Sequence, residues 1–554
     1  MRNYFPALLF ALICLSCKKT ANSNPVTPSI SSINCTAAVF SSPATSGVVY
    51  TGTITVPYTG GNGVAYSAGS TITSGGVSGL NATLQSGTLA TGSGSFTYQV
   101  NGTPATAGVA YFDIPFGGMT CRASITVSEP PLTQYGTPFA GVPNRQDAVI
   151  YQVNMRAFSS TSNFQGVIAR LDSIKALGAN VIYLMPIYPV GTVNAVNSPY
   201  CVKDYKAINA EFGTLTDLRA LVDGAHSKNM SVILDWVANH TAWDNGWITA
   251  HSDWYLKNGS GVIVSPPGMG WNDVAQLNFS NTEMRQEMIR CMKYWVYTAN
   301  VDGFRMDYSD GPPADFWKQA IDTLRNINTH TLLLMAEGSR NDHFTAGFDF
   351  IFGFNFYGQL KTIFSNNQPA TILNAVNTSE YTNAANGQQV VRYTTNHDVN
   401  GAEGTPQSLF GGINGSISAF VTAAYMKAVP MIYNGQEVAT SFQLFFPFTA
   451  ADINWTVNPN ITAEYKRIIA FRNSSAAIRR GTLTSYSSTE ICAFTKEQAA
   501  EKVFVMCNLK NSTVNYTLPA AIANTTWTNA MTGTSVSLST QYSLQPYSYL
   551  ILKN

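Results

Sequence analysis

Three apolar runs near the middle of the chain each end in an acidic residue: VDGFRMD (301–307), TLLLMAE (331–337) and VVRYTTNHD (390–398). Short runs rich in β-branched and other apolar residues are typical of buried parallel strands, and the carboxyl ends of such strands carry the reactive groups of α/β folds. Three carboxylates on one face can protonate a leaving group and stabilise a cation. Glycoside hydrolysis requires both of these actions.

Five further runs read as strands, and most are separated by stretches with helical spacing. They are AVIYQV (148–153), VIYLMPI (181–187), VILDWVANH (232–240), FDFIFGF (348–354) and VPMIYNG (429–435). Eight strands that alternate with helices predict an α/β fold, a parallel (β/α)8 TIM barrel with its active site at the carboxyl ends of the strands. We place this barrel at 147–476, and the irregular segment 241–278 after the third strand is predicted to form a lobe over its mouth.

The segments on either side of the barrel have the composition of β domains. Residues 31–128 are rich in Gly, Ser, Thr and Val with alternating stretches, which predicts an N-terminal β-sandwich whose role the sequence does not reveal. Residues 129–146 read as a linker. Short strands return at 477–554 and predict a C-terminal antiparallel β domain.

The first residues resemble an export signal. A short basic and apolar segment, 1–17, ends in CLSCKK (14–19), which is similar to a bacterial lipoprotein cleavage site with Cys17 as the lipidated residue. Simple cleavage and release is the alternative, because Cys14 replaces the usual leucine. With 18–30 as a tether, we expect an exported protein that contacts membrane only through a lipid anchor, in the outer membrane or cell envelope, and otherwise a periplasmic or secreted protein.

The composition limits the classes of molecule that the protein can bind. The net charge is +1 and only 11% of the 554 residues are charged, so the chain lacks the basic clusters that nucleic-acid binding requires. An exported protein can oxidise the cysteine pairs Cys35–Cys121 and Cys492–Cys507, although the sequence proves neither bond. It is also silent on the oligomeric state.

Neighbouring residues predict how the carboxyl groups ionise. Arg305 and Asp307 lie on the same face of a strand because side chains alternate, so the guanidinium is expected to lower the pKa of Asp307, as a nucleophile requires. Glu337 follows an apolar run, where loss of solvation is expected to raise its pKa, as an acid catalyst requires. His397 beside Asp398 offers a donor and an acceptor for adjacent sugar hydroxyls.

These residues resemble the α-amylase superfamily of retaining glycoside hydrolases across roughly 148–554. The resemblance rests on ordered motifs: DWVANH (235–240), GFRMD (303–307), AEG (336–338), TNHD (395–398) and VPMIYNGQE (429–437). It implies that Asp307 is the nucleophile, Glu337 the general acid/base and Asp398 the residue that stabilises the transition state. The residues implied to bind substrate are Arg305, His240, His397, Tyr200 and Asp235.

The chain departs from the family pattern at two places. Where many members read GFRxDxxKH, this chain has Asp310 and Gly311 in place of the Lys and His on the leaving-group side. The resemblance also implies a calcium ligand at Asn239, but Gln276 stands where the family has an aspartate, which weakens a calcium site. No other cofactor is expected. Four tryptophans of the lobe can stack on sugar or fill its small core: Trp243, Trp247, Trp254 and Trp271.

The resemblance implies an enzyme that cleaves α-1,4 bonds in starch-like α-glucan polysaccharides or maltooligosaccharides. An α-glucanotransferase uses the same covalent intermediate and is the first alternative. A non-catalytic glycan-binding barrel is the second, and it is disfavoured because all three carboxylates are present.

Overall fold

A computed structural model describes residues 26–385, 387–448 and 452–554. The chain divides into two compact units, Met1–Leu132 and Thr133–Asn554. The predicted signal segment, with Cys17, and most of the predicted tether lie outside the described residues, so lipidation stays a prediction. Within the described ranges, no helix combines the length and the apolar character needed to cross a bilayer.

The first unit contains two packed sheets, antiparallel except for the edge strand Ala44–Thr45, and a disulfide between Cys35 and Cys121. Along one long strand the side chains of Phe96, Tyr98 and Val100 are buried, whereas the residues between them face outward, which is the alternation expected of a sandwich. The larger sheet comprises Ser32–Ile33, Val39–Phe40, Tyr50–Asn62, Thr91–Gly102, Leu80–Leu84 and Thr71–Thr73; the smaller comprises Ala44–Thr45, Met119–Ser128, Gly108–Phe116 and Gly75–Gly76.

The second unit is built around a closed barrel of eight parallel strands, in which the eighth strand pairs with the first. Every residue of these strands is buried, and most of them are apolar. This confirms the predicted fold class. The strands are β1 Ile150–Val153, β2 Val181–Leu184, β3 Ser231–Trp236, β4 Gly303–Met306, β5 Leu333–Ala336, β6 Phe350–Phe352, β7 Gln389–Arg392 and β8 Val429–Tyr433.

Helices cover the outside of the barrel. Local sequence determines where several of them begin and end. One helix begins after Thr214, whose side chain forms a capping box with Asp217. The helical segment 164–177 is divided into two helices, and the second ends at Gly178, which adopts a φ of +98°. The main helices are Phe164–Ile168, Leu171–Leu177, Leu215–His226, Thr282–Ala299, Ala314–Arg325, Asp342–Ala346, Phe354–Ser365, Ile372–Ser379, His397–Ala402, Pro406–Leu409, Gly412–Tyr425, Pro459–Ser474 and Ala476–Arg480.

The lobe after β3 is a small antiparallel hairpin with irregular chain around it. His240–Ala242 pairs with Val274–Gln276, and a short helix, Gly246–Ala250, lies between them. Trp254 is buried and packs edge-on against Trp247, so these two rings fill the core of the lobe.

An antiparallel sheet follows the barrel. Cys492 and Cys507 lie opposite each other on neighbouring strands as buried free thiols, so this pair is not a disulfide. The sheet comprises, in order, Thr482–Ser485, Ile491–Gln498, Glu501–Asn508, Tyr549–Lys553, Thr526–Asn529 and Ser535–Ser537, with a separate pair of Val514–Thr517 and Gln541–Leu544.

Lys496 in this sheet is almost completely buried, with 1% of its surface exposed. Its ammonium donates to the backbone oxygen of Ile478. Burial, together with the positive charges of Arg472, Lys427 and Arg392, lowers the pKa of Lys496 to about 7.

We expect Lys496→Met to reduce the pH dependence of stability between pH 7 and about 10. In this range the unfolded lysine binds more protons than the folded one, so the free energy of unfolding of the wild type should rise with pH relative to the variant, by about 1 kcal/mol or more. Urea denaturation at pH 7 and pH 9.5 measures the difference. Lys553→Met, at an exposed lysine of another strand in the same sheet, is the matched control. Parallel pH profiles for wild type and Lys496→Met would contradict the assignment.

Candidate active site

A cavity of about 540 Å³ opens at the carboxyl ends of the barrel strands. The three acidic residues predicted to be catalytic line it, together with the predicted binding residues Tyr200, His240 and His397. The remaining lining residues are Ser198, Trp271, Asp273, Val274, Tyr308, Asp310, Phe354, Phe446 and Phe448. Sequence reasoning therefore identified the residues at the base of the cavity and missed most of those around its mouth.

The guanidinium of Arg305 lies behind the cavity and joins three carboxylates. It is completely buried on β4, where it contacts Asp235 at 2.6 Å, Asp307 at 3.0 Å and Glu337 at 2.6 Å. Asp235 and Arg305 are opposite each other in the register of β3 and β4, so both side chains enter the barrel at the same level. A buried cation is tolerated only when it is paired in this way.

Three carboxyl groups of the cavity, those of Asp307, Glu337 and Asp398, have raised pKa values. Burial raises the pKa of Glu337, and the nearby charge of Asp398 adds to this, whereas Arg305 opposes it. Burial also raises the pKa of Asp398, although 59% of its side chain faces the open cavity, which limits the effect. The raised pKa of Glu337 agrees with the expectation for an acid catalyst.

The expected direction for Asp307 was wrong. Burial raises its pKa well above the ordinary value; Arg305 opposes this, and the charges of Glu337, Asp235 and Asp398 add to the rise. The prediction considered only one neighbour.

His397 is fixed by a chain of hydrogen bonds. Gln152 Nε2 donates to His397 Nδ1 at 2.8 Å, which assigns the ring proton to Nε2, and Nε2 lies 2.7 Å from the Tyr200 hydroxyl. That hydroxyl donates to Asp235 at 3.0 Å. Burial lowers the pKa of His397 to about 4, so its ring is neutral at neutral pH.

His240 is also buried, and burial lowers its pKa to about 4. Its ring lies edge-on to Trp271, with the ring centroids 5.5 Å apart. Both histidines can therefore offer a neutral N–H or a lone pair to a sugar hydroxyl without adding charge to the site.

Two polar residues of the site were missed in the sequence, Gln152 on β1 and Tyr183 on β2. Tyr183 donates its hydroxyl to Asp235 at 2.7 Å, and Gln152 orients His397. The signal available was a polar side chain inside an otherwise apolar strand, because such a group needs a buried partner. Phe354, Phe446 and Phe448 had no comparable signal, since they lie in irregular chain or at a helix start.

Comparisons with known proteins agree with this geometry. The family model described as "Alpha amylase, catalytic domain" matches residues 147–260. "Alpha-amylase 3" of Dictyoglomus thermophilum is 24% identical over 433 residues, which span 66% of this chain and 85% of that protein. The crystal structure of an α-amylase from Lactobacillus plantarum superimposes with a TM-score of 0.65 and 26% identity over 74% of this chain and 99% of that one.

The chain belongs to the α-amylase superfamily. It is a glycoside hydrolase of the α-amylase type. It is also similar to "Probable oligo-1,6-glucosidase 2" of Bacillus subtilis, with 32% identity over 197 residues, but this match spans only 29% of this chain and 34% of the glucosidase.

The calcium ligand implied by this family does not fit the residues present. Gln276 Nε2 donates to the backbone oxygen of Asn239 at 3.0 Å and to its Oδ1 at 3.2 Å, while Asn239 Nδ2 donates back to Gln276 Oε1 at 3.0 Å. The two amides satisfy each other, whereas calcium prefers several charged oxygens. Within the described part of the chain, no three His, Cys, Asp or Glu side chains cluster closely enough to hold a metal.

We therefore expect chelation to have little effect on this amylase-family protein. Dialysis against EDTA should leave the Tm and the rate of hydrolysis within experimental error, because the amide pair fills the place of the ion. Differential scanning calorimetry and a product assay, each with EDTA and with added CaCl2, measure this. A Tm that falls by several degrees and recovers with calcium would show a calcium site.

Proposed function

We propose that this protein hydrolyses α-1,4-glucosidic bonds in starch-like α-glucans or maltooligosaccharides with retention of configuration, through a covalent glycosyl-enzyme. One observation carries the proposal: a single buried guanidinium contacts both Asp307 and Glu337 at the floor of an open cavity. This arrangement holds the two carboxyl groups close together, and retaining enzymes require a separation of about 5–5.5 Å.

In the proposed first step, protonated Glu337 gives its proton to the glycosidic oxygen while a carboxylate oxygen of Asp307 attacks the anomeric carbon. The bond to the leaving sugar breaks as the bond to Asp307 forms. In the second step, ionised Glu337 takes a proton from water, and the resulting hydroxide displaces Asp307 from the anomeric carbon. Two inversions give net retention, and both carboxyl groups return to their starting states.

The other polar groups of the floor support the sugar that is cleaved. Asp398 and neutral His397 lie side by side, 3.4 Å apart, and can hold adjacent hydroxyls as donor and acceptor. Tyr200 lies nearly parallel to the ring of His397, with centroids 5.5 Å apart, and its face is directed along the same side of the cavity. Arg305 and Asp235 act behind these groups by fixing them.

We expect Asp307→Asn to lower kcat/KM for maltooligosaccharides by several orders of magnitude, because an amide oxygen is a poor nucleophile. Glu337→Gln should lower it by about 10²–10⁴, the usual contribution of a general acid. Asp342→Asn, at a surface carboxylate of the same unit, is the matched control for folding and activity. Residual activity of Asp307→Asn near that of the wild type would remove its role as nucleophile.

Product analysis separates the candidate activities. Incubation with soluble starch and with maltoheptaose should give a spread of short products that are α-anomers when first released, which NMR detects. Products longer than the maltoheptaose supplied would make the protein a glucanotransferase. No turnover of either, with binding retained, would support a glycan-binding barrel.

A second candidate bond is α-1,6, and the similarity to an oligo-1,6-glucosidase favours testing it. Isomaltotriose in the same assay provides the comparison. Faster cleavage of isomaltotriose than of maltotriose would shift the proposal to α-1,6 bonds and leave the retaining mechanism in place.

A further inference from the structure

The turn that follows Asp307 is hydrogen-bonded to Glu337, which directly follows β5. We define this turn as residues 308–311, Tyr-Ser-Asp-Gly. The backbone N–H of Tyr308 donates to Glu337 Oε2 at 2.9 Å, and the N–H of Ser309 donates to the Glu337 backbone oxygen at 2.8 Å. Tyr308 adopts a φ of +39°, a conformation that a non-glycine residue keeps only when its surroundings hold it.

The charged side chain of the turn, Asp310, lines the cavity and is held by the segment that follows Glu337. Asp310 accepts hydrogen bonds from the backbone N–H groups of Ser339 and Arg340 and from His343 Nε2, the last at 2.7 Å. Burial raises the pKa of Asp310, but these bonds outweigh it and lower the pKa to about 2. Ionised Asp310 is therefore a clasp between the turn and the segment that follows Glu337.

Gly311 makes room for the ring of Tyr308. A Cβ at this position would lie 2.6 Å from the Tyr308 ring and 2.5 Å from Asn239 Oδ1, so any other residue would displace the ring. With Asp310 engaged and Gly311 lacking a side chain, the aromatic ring is the surface that the turn presents to the cavity.

The Tyr308 ring belongs to an aromatic group beside Glu337. It lies edge-on to Trp271, with centroids 5.0 Å apart, and its hydroxyl contacts Met269 Sδ at 3.5 Å. Both rings are half-buried and line the cavity with Glu337.

A second aromatic group lies around His397 and Asp398. The ring of His397 contacts Phe448, which in turn contacts Phe446, with centroids 5.4 Å apart in each pair. This group accompanies the residues assigned above to the sugar that is cleaved. The first aromatic group lies beside Glu337, the carboxyl group proposed to protonate the leaving oxygen. The departing sugar therefore lies on the same side of the cavity as Tyr308 and Trp271.

We propose that Tyr308 and Trp271 form the binding platform for the first sugar on the leaving-group side. This inference rests on the proposed function, since it assigns part of the same cavity. Apolar C–H faces of a glucose unit pack on aromatic rings, and the platform holds the leaving sugar while Glu337 protonates it and holds an acceptor sugar during transfer. Tyr308 is thus a specificity-determining residue.

Two substrates that share a glycone test the platform. Maltotetraose loses a sugar, whereas α-maltosyl fluoride loses fluoride and makes no contact on the leaving side. We expect Tyr308→Ala and Trp271→Ala to lower the ratio of kcat/KM for maltotetraose to that for the fluoride about tenfold, the effect of one aromatic contact. Tyr308→Phe keeps the ring and should keep the ratio of the wild type.

Phe446→Ala provides the matched control, because it removes a ring of the other aromatic group. It should change both substrates equally and leave the ratio alone. A second readout is transfer: with the fluoride as donor and added maltose as acceptor, Tyr308→Ala should give a smaller share of elongated products than the wild type.

Three outcomes overturn the platform. Equal losses on both substrates for Tyr308→Ala would make Tyr308 a positioning residue whose ring only supports the turn, since alanine keeps the backbone N–H that bonds Glu337. An unchanged ratio for both alanine variants would remove the platform. A selective loss for Phe446→Ala would move it to the other group. Failure of the proposed function appears separately, as a wild type that does not release fluoride or that gives an inverted product.

Discussion

The buried guanidinium of Arg305 is the element on which the site depends. It is completely buried inside the barrel. It contacts Asp235 on β3 and the carboxylates of Asp307 and Glu337, which directly follow β4 and β5. Alone, this cation would be too costly to bury, and without it the carboxylates would repel one another. The register of the parallel strands, which sets Asp235 opposite Arg305, makes the pairing possible. The pairing of the barrel strands therefore also sets the positions of the charged groups in the site.

The same cluster explains why the site can supply a proton. Asp235, Asp307, Glu337 and Asp398 surround one guanidinium, and the raised pKa values of three of them reflect burial and mutual repulsion. A raised pKa favours the protonated form of a carboxyl group, and a hydrolase that begins by protonating its substrate needs such a group. Neutral His240 and His397 surround the cluster without adding positive charge that would release the proton.

Much of the barrel and its floor could be predicted from sequence because both follow from local patterns. Each apolar run became a strand, and the carboxylates at the ends of three of them meet in one cavity. The pKa of Asp307 could not be predicted, since it depends on charges that come from distant parts of the chain. Gln152 and Tyr183 carried a weak signal as polar residues in apolar strands. Export and lipidation at Cys17 stay predictions.

The residues around the mouth of the cavity could not be predicted from the sequence, for a different physical reason. The rings of Phe446 and Tyr308 reach the cavity from loops and a turn, where no period in the sequence fixes direction. The clasp at Asp310 also depends on Gly338, where a Cβ would lie 2.3 Å from His343 Nε2 and 2.7 Å from Asp310 Oδ1. Only the folded chain brings these positions together.

The chain and the relatives described above share about a quarter of their residues in the aligned regions. At that level of identity, strand ends and turns differ in how much can be inferred from one protein about another. The strand ends are held by the barrel and by Arg305, which fixes the carboxyl groups at the floor of the cavity. The leaving-group side is built from a four-residue turn and the lobe hairpin, and this chain lacks there the Lys and His that many members have. A different side chain at Tyr308 can alter which sugar departs or accepts, because the bond to Glu337 comes from the backbone N–H of Tyr308 and does not depend on its ring. The proposed leaving-group platform can therefore change while the carboxyl groups on the barrel floor stay in place.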